Sequence, residues 1–167
     1  MDLVLTPEEV RVLAGLMEKE MTTPEYYPLS LNALVNACNQ KTSRFPVVNY
    51  DERLVLGVLK MLQEKRLVWQ SDAGRVSKYE QLFAKNNNLI TGEAAVLCVL
   101  MLRGPQTMGE IKAHTERLYD FPDLDRLGET LSDLVDAGYI MKLQRLPGRK
   151  ESRYAHLLSG MPEDTAA

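Results

Sequence analysis

Apolar positions along the chain fall into helical stripes, and the stripes occur twice. Leu5-Thr6-Pro7-Glu8 opens a pattern in which Val10, Leu13, Leu16 and Met17 recur at the spacing of one helix face. Ile90-Thr91-Gly92-Glu93 opens a similar pattern 85 residues later, with Ala95, Cys98, Met101 and Leu102 as its stripe. Thr6 and Glu9 suit a capping box, and Pro7 takes the first helical position. A short second helix follows in each half. Ser30 precedes Leu31, Leu34, Val35 and Cys38 on one face, while Thr107 and Glu110 form a capping box ahead of Met108 and Ile111. The third helices align at an offset of 73, matching Val58, Met61 and Leu62 to Leu131, Leu134 and Val135. Leu34, Val58, Met61, Cys98, Leu131 and Leu134 are the predicted core.

After each third helix the period drops from 3.6 to 2. Leu67-Val68-Trp69-Gln70 and Tyr139-Ile140-Met141-Lys142-Leu143 read as strands. Asp72-Ala73-Gly74 and Pro147-Gly148 supply tight turns, the second pair suiting a type II turn. The returning strands carry the matched segments Ser77-Lys78-Tyr79 and Ser152-Arg153-Tyr154. Three helices and a two-stranded hairpin, twice over, predict a mainly α fold with small β-hairpins (α+β) made of two tandem winged-helix domains. The expected bounds are 1–84, with an insertion at about 21–49, a linker at 85–90, a second domain at 91–160 and a flexible tail at 161–167. Gly138 stands where the third helix of the second copy would end in a left-handed residue. Aligned to it is Lys65, so the first copy is predicted to end its helix differently.

Composition narrows the class without naming a function. The 167 residues are 45% hydrophobic and 26% charged, the mix of a globular chain. The longest apolar run, Ala94 to Leu102, is too short to span a bilayer, and Asp2 and Glu8 stand where a signal segment would begin. Two cysteines sixty residues apart, Cys38 and Cys98, fit a reduced, cytoplasmic protein. The net charge of −3 excludes attachment to nucleic acid by bulk charge, though not through a local basic patch.

The run Tyr27-Pro28-Leu29-Ser30-Leu31-Asn32-Ala33-Leu34-Val35-Asn36-Ala37-Cys38-Asn39-Gln40-Lys41 strongly resembles the YceH-like family of conserved bacterial proteins of unassigned function. The resemblance extends from about Leu5 to Leu158 and implies a tandem winged-helix fold. It brings no catalytic or ligand residues with it.

Two surfaces stand out as candidates. Asn32, Asn36 and Asn39 form an amide stripe opposite the apolar face of the second helix, with Gln40, Lys41 and Arg44 just beyond. Amides can read adenine in a major groove while Lys41 and Arg44 hold phosphates. The competing reading is that these amides cap the helix and bond the loop that follows. The second surface is a basic hairpin, where Lys142, Arg145, Arg149, Lys150 and Arg153 face one acid, Glu151. Such a wing suits phosphate contact, or simply protects a sheet edge. Against DNA stands the segment from Glu116 to Asp136, with seven acids and only Arg117 and Arg126 to offset them. The loop segments Tyr26-Tyr27-Pro28 and Phe45-Pro46-Val47-Val48 either pack over the first copy's core or offer it a contact surface.

Chemistry finds little footing. His114 and His156 lack ligand partners at metal spacing, no glycine-rich phosphate loop follows a strand, and Ser30 and Ser152 have no evident base. The sequence therefore predicts no enzyme, no metal and no cofactor. The expected activity is nucleic-acid binding, of a transcription-regulatory kind, with double-stranded DNA as partner. The alternative is a protein-interaction scaffold that binds a partner protein or pairs as a homodimer, without DNA. No membrane association is expected.

Overall fold

The computed structural model describes residues 3–162, so residues 163–167 of the expected tail lie outside the described residues. In the first half, α1 (Pro7–Thr22) leads through a 3-10 turn at Pro24–Tyr26 to β1 (Leu29–Ser30), α2 (Leu31–Asn39) and α3 (Glu52–Glu64). The strands β2 (Val68–Ser71) and β3 (Lys78–Gln81) follow, and a short helix, α4 (Phe83–Asn86), leads out of this half. In the second half come α5 (Thr91–Arg103), β4 (Gln106–Thr107), α6 (Met108–His114), α7 (Leu124–Asp136), β5 (Ile140–Lys142) and β6 (Arg153–His156). The fold is mixed α+β, with two small antiparallel sheets ordered β1-β3-β2 and β4-β6-β5. Each sheet thus has a third strand beyond the expected hairpin. At two residues each, β1 and β4 are too short to show a period, and both run directly into a helix cap.

The caps form as the side-chain chemistry dictates. Thr6 accepts from the Glu9 N–H at 3.1 Å and Glu9 answers to the Thr6 N–H at 2.9 Å. Ser30 accepts from Ala33 N–H, and Thr107 with Glu110 completes a second box. The equivalent caps Thr6 and Ile90, Ser30 and Thr107, and Asp51 and Asp123 lie 84, 77 and 72 residues apart. The extra length of the first half is therefore split between two connections. The matched serine-basic-tyrosine segments occupy equivalent rungs: Ser30 pairs with Lys78 and Leu29 with Tyr79, as Thr107 does with Arg153 and Gln106 with Tyr154.

These caps correct the alignment by one residue in the first and third helices. The buried face of α3 is Val55, Leu59 and Leu62, and that of α7 is Leu127, Leu131 and Leu134. Met61, expected in the core, is 48% exposed, and Val58 is only partly buried. Lys65 is consequently not the counterpart of Gly138. That position is Arg66, which itself adopts a left-handed φ of 61° against 86° at Gly138. Both helices end alike, in a Schellman arrangement. Leu67 N–H bonds the Leu62 carbonyl and Arg66 N–H that of Gln63, just as Tyr139 does to Leu134 and Gly138 to Val135.

The two halves share one hydrophobic core. The first helix of each is buried around its whole circumference over residues 9–18 and 94–102, because α1 and α5 pack on each other as well as on their own halves. The Cys98 thiol donates to the Ala14 carbonyl across this contact at 3.4 Å. Residues 85–90, expected as a linker, begin inside α4. Phe83 is fully buried against the Tyr139 ring, and the Tyr139 hydroxyl donates to Asn87 Oδ1. Leu5 N–H closes on the Leu158 carbonyl at 2.7 Å, tying the start of the first half to the end of the second.

Candidate binding surfaces and the cleft between the halves

The loop after α2 holds the first surprise. Arg44 is 6% exposed, so it is no phosphate contact. Its guanidinium forks onto Glu18, with Nη1 at 3.0 Å and Nη2 at 2.6 Å from the two carboxylate oxygens. The remaining donors reach the carbonyls of Ala37 and Ser43. Burial alone would raise the Glu18 carboxyl, but the Arg44 hydrogen bonds and charge outweigh it and hold Glu18 below its usual value. Asn39 is likewise spent on structure, donating to the Tyr50 carbonyl and accepting the Tyr50 N–H. Gln40 accepts from Lys19 and donates to Thr42. Lys41, Asn32 and Asn36 remain exposed. The amide stripe thus divides, with its C-terminal end bonding the loop as the capping reading expected.

Past Arg44 the loop's backbone is pinned to both halves while the Phe45 side chain is exposed. Phe45 N–H bonds the Leu102 carbonyl, and Pro46 accepts from Arg11, yet Phe45 is 74% exposed. Tyr27 is partly buried, and its hydroxyl accepts from the Gln81 N–H.

The basic hairpin keeps its character. Lys142, Arg145, Arg149 and Lys150 are exposed, and no ion pair among the described residues involves them. Arg153 is half-buried at the start of β6, where its charge lowers the Glu110 carboxyl behind the stronger effect of that residue's bond to Thr107. The hairpin turn closes through Arg149 N–H to the Leu146 carbonyl, with Gly148 at φ 76°. Behind it the outward side of α7 carries Asp125, Glu129, Asp133 and Asp136. The outward side of α3 is different in kind. Leu54 and Leu56 are each more than a third exposed, as is Met61, with Arg53 and Lys60 among them, and Trp69 on the next strand is 58% exposed.

A cleft of about 390 Å³ lies between the halves, walled by Val10, Phe45, Pro46, Val48 and Met101 and floored by residues near the end of β6. Arg11, Tyr50, His156 and Ser159 are its polar lining. Arg11 is 5% exposed, and its two hydrogen bonds go to backbone carbonyls, those of Cys38 and Pro46. Burial lowers the His156 pKa to about 4, so its imidazole is neutral near pH 7. Its Nδ1 accepts the Leu158 N–H, which places the ring proton on Nε2. Sequence reasoning missed this cleft. The legible signals were Arg11, a lone cation inside the apolar run from Val10 to Met17, and the apolar loop segment Phe45-Pro46-Val47-Val48.

The remaining reactive side chains are structural. Burial pushes the Cys38 thiol up to about 12 and that of Cys98 well above its ordinary value, leaving both as inert apolar groups. His114 Nδ1 lies 2.6 Å from Gln106 Oε1. Among the described residues no cluster of histidine, cysteine or acid could hold a metal, and no helix is long and apolar enough to cross a membrane.

Comparison with known proteins identifies relatives along nearly the whole chain. The family described as "Protein of unknown function, DUF480" matches residues 5–149. A UPF0502 protein of Solibacter usitatus is 55% identical over 161 residues, covering 96% of this chain and 78% of that one. A UPF0502 protein of Pelobacter propionicus is 52% identical over 163 residues, covering 96% and 74%. The corresponding protein of Geobacter sulfurreducens is 45% identical over 169 residues, covering 99% and 77%. The chain belongs to this conserved bacterial family, the uncharacterised one that its Tyr27–Lys41 run resembles.

Proposed function

We propose that this protein is a non-enzymatic, cytoplasmic binding module of two winged-helix units whose partner is another protein. The observation that carries the reading is the outward face of α3. In a winged helix this is the element offered to a DNA groove. Here it presents Leu54, Leu56 and Met61, with Trp69 on the following strand. Leu54 and Met61 lie on one flank of the helix and Leu56 on the other, with Arg53 and Lys60 between them. Exposed apolar side chains of this kind suit a protein interface better than a phosphate backbone. The counterpart α7 is acidic, and a duplex with one negative charge per ~1.7 Å would repel it. With Arg44 buried and Asn39 and Gln40 bonded, the first half offers a duplex Lys41 alone from the expected basic pair.

A second reading keeps double-stranded DNA as partner, held through the second hairpin. The four exposed cations Lys142, Arg145, Arg149 and Lys150 favour it. Phosphate contacts of that kind carry no sequence information, so this reading predicts weak, salt-sensitive, non-specific binding.

A photo-crosslinking side chain placed at Met61 in cells distinguishes them. The protein-partner reading expects a discrete protein adduct from Met61 and none from the same group at Glu129 on α7. Equal adducts from both positions, or none from Met61, contradict it.

A further inference from the structure

We infer that the cleft between the halves binds a small organic monocarboxylate with an apolar body, its carboxylate seated on Arg11. Charge is out of balance at Arg11. A buried cation is ordinarily paired, because desolvating it is costly unless a counter-ion or full hydrogen bonding compensates. Arg44, buried by the same loop, has Glu18. Arg11 has no carboxylate within ion-pairing distance among the described residues, and its nearby Arg44 charge is unfavourable. A guanidinium carries five N–H donors, and carbonyls occupy two of those on Arg11. Arg11 lines the cleft, so its remaining donors are within reach of a molecule seated there.

Other donors converge on the same space. Among the described residues the His156 Nε2–H has no hydrogen-bond partner, because the ring's one bond there uses Nδ1. The Tyr50 hydroxyl makes none among the described residues either, its backbone being the part held by Asn39. Ser159 adds a hydroxyl at the rim. Around these donors the walls are apolar: Val10, Val48, Met101, Pro46 and the Phe45 ring. One fixed positive charge with neutral donors matches a singly charged, planar acceptor, which a carboxylate is and a dianionic phosphate is not. The volume, about 390 Å³, lies in the range of small-ligand sites. Such a ligand would touch α1 and the Arg44 loop from one half and α5 and β6 from the other, and so would report on how the halves sit together.

The test is an amide-resolved NMR titration of the full-length protein with 4-phenylbutyrate and, separately, with the uncharged 4-phenylbutanamide. Saturable shifts are expected at Val10, Tyr50, Met101 and His156, with the acid bound at least about tenfold more tightly than the amide. The Tyr50→Phe variant, which leaves the core intact, should weaken the acid several-fold and the amide little. Folded Arg11→Met should lose the preference for the acid. Equal affinities for the two compounds, shifts scattered outside the cleft, or no saturable binding overturn the inference. Binding that emerges only after Glu163→Gln and Asp164→Asn overturns it as well, by assigning the cleft to the chain's own terminus.

Discussion

Arg44 and Glu18 illustrate how one residue changes meaning when its surroundings are known. In the sequence Arg44 follows an amide stripe and reads as a surface cation, while in the structure it holds a loop against α1 through a bidentate pair. Removing one partner leaves the other buried and uncompensated, so Arg44→Ala should lower the unfolding free energy by about 3–5 kcal/mol in urea titrations. Arg44→Met with Glu18→Leu should recover most of that loss, since an apolar pair carries no stranded charge. His156 sets a pH dependence of its own. Unfolded, its imidazole takes a proton near 6.5; folded, burial delays this to about 4. Below pH 6.5 the unfolded chain therefore binds more protons, and stability falls as pH drops towards 4, by up to about 3 kcal/mol. His156→Gln should flatten this part of the stability–pH curve. Glu18 adds a loss at lower pH, as its depressed carboxyl takes a proton in the folded state.

At the scale of elements, the capping boxes were legible because each cap is a local side-chain bond with a fixed spacing. The turn at Pro147-Gly148 was legible for the same reason. Register in the third helix was not. The stretch from Leu54 to Leu62 is apolar on two sides, so an i, i+3, i+4 pattern can be drawn through Val58, Met61 and Leu62 as readily as through the true face. The surplus apolar positions that blurred the pattern are those left on the surface. The strands β1 and β4 escaped notice since two residues cannot display alternation, and the cleft escaped because it joins residues from four distant segments. The helix ends offer a direct check on the corrected alignment. Arg66 sits where its counterpart is Gly138, with φ at 61°. Arg66→Gly should therefore stabilise the protein, by roughly 0.5–1 kcal/mol after the entropy that glycine adds to the unfolded chain. A clear loss would contradict the equivalence of the two ends.

At the scale of the whole molecule, the two similar halves do not behave as separate beads. α1 and α5 are the buried centre of one core, and the Arg44 loop, α4 and the Leu5–Leu158 bond fasten the halves to each other. The duplication was visible in the sequence, and so was the length of apolar chain in α5. What this run meant, a helix surrounded on all sides, follows only when both halves are in place. The arrangement turns α3, α7 and the second hairpin outward with three different characters: mixed apolar and basic, acidic, and basic. The partner we propose for the first is a protein, and the direct measurement is titration of a fluorescently labelled random duplex, followed by anisotropy at about 50 mM and about 200 mM salt. The account predicts no saturable rise at either salt concentration, with Trp69 emission unchanged. Saturable binding at the lower salt that weakens at the higher, and disappears when Arg149 and Lys150 are reversed to glutamate, would contradict it and establish the duplex as the partner.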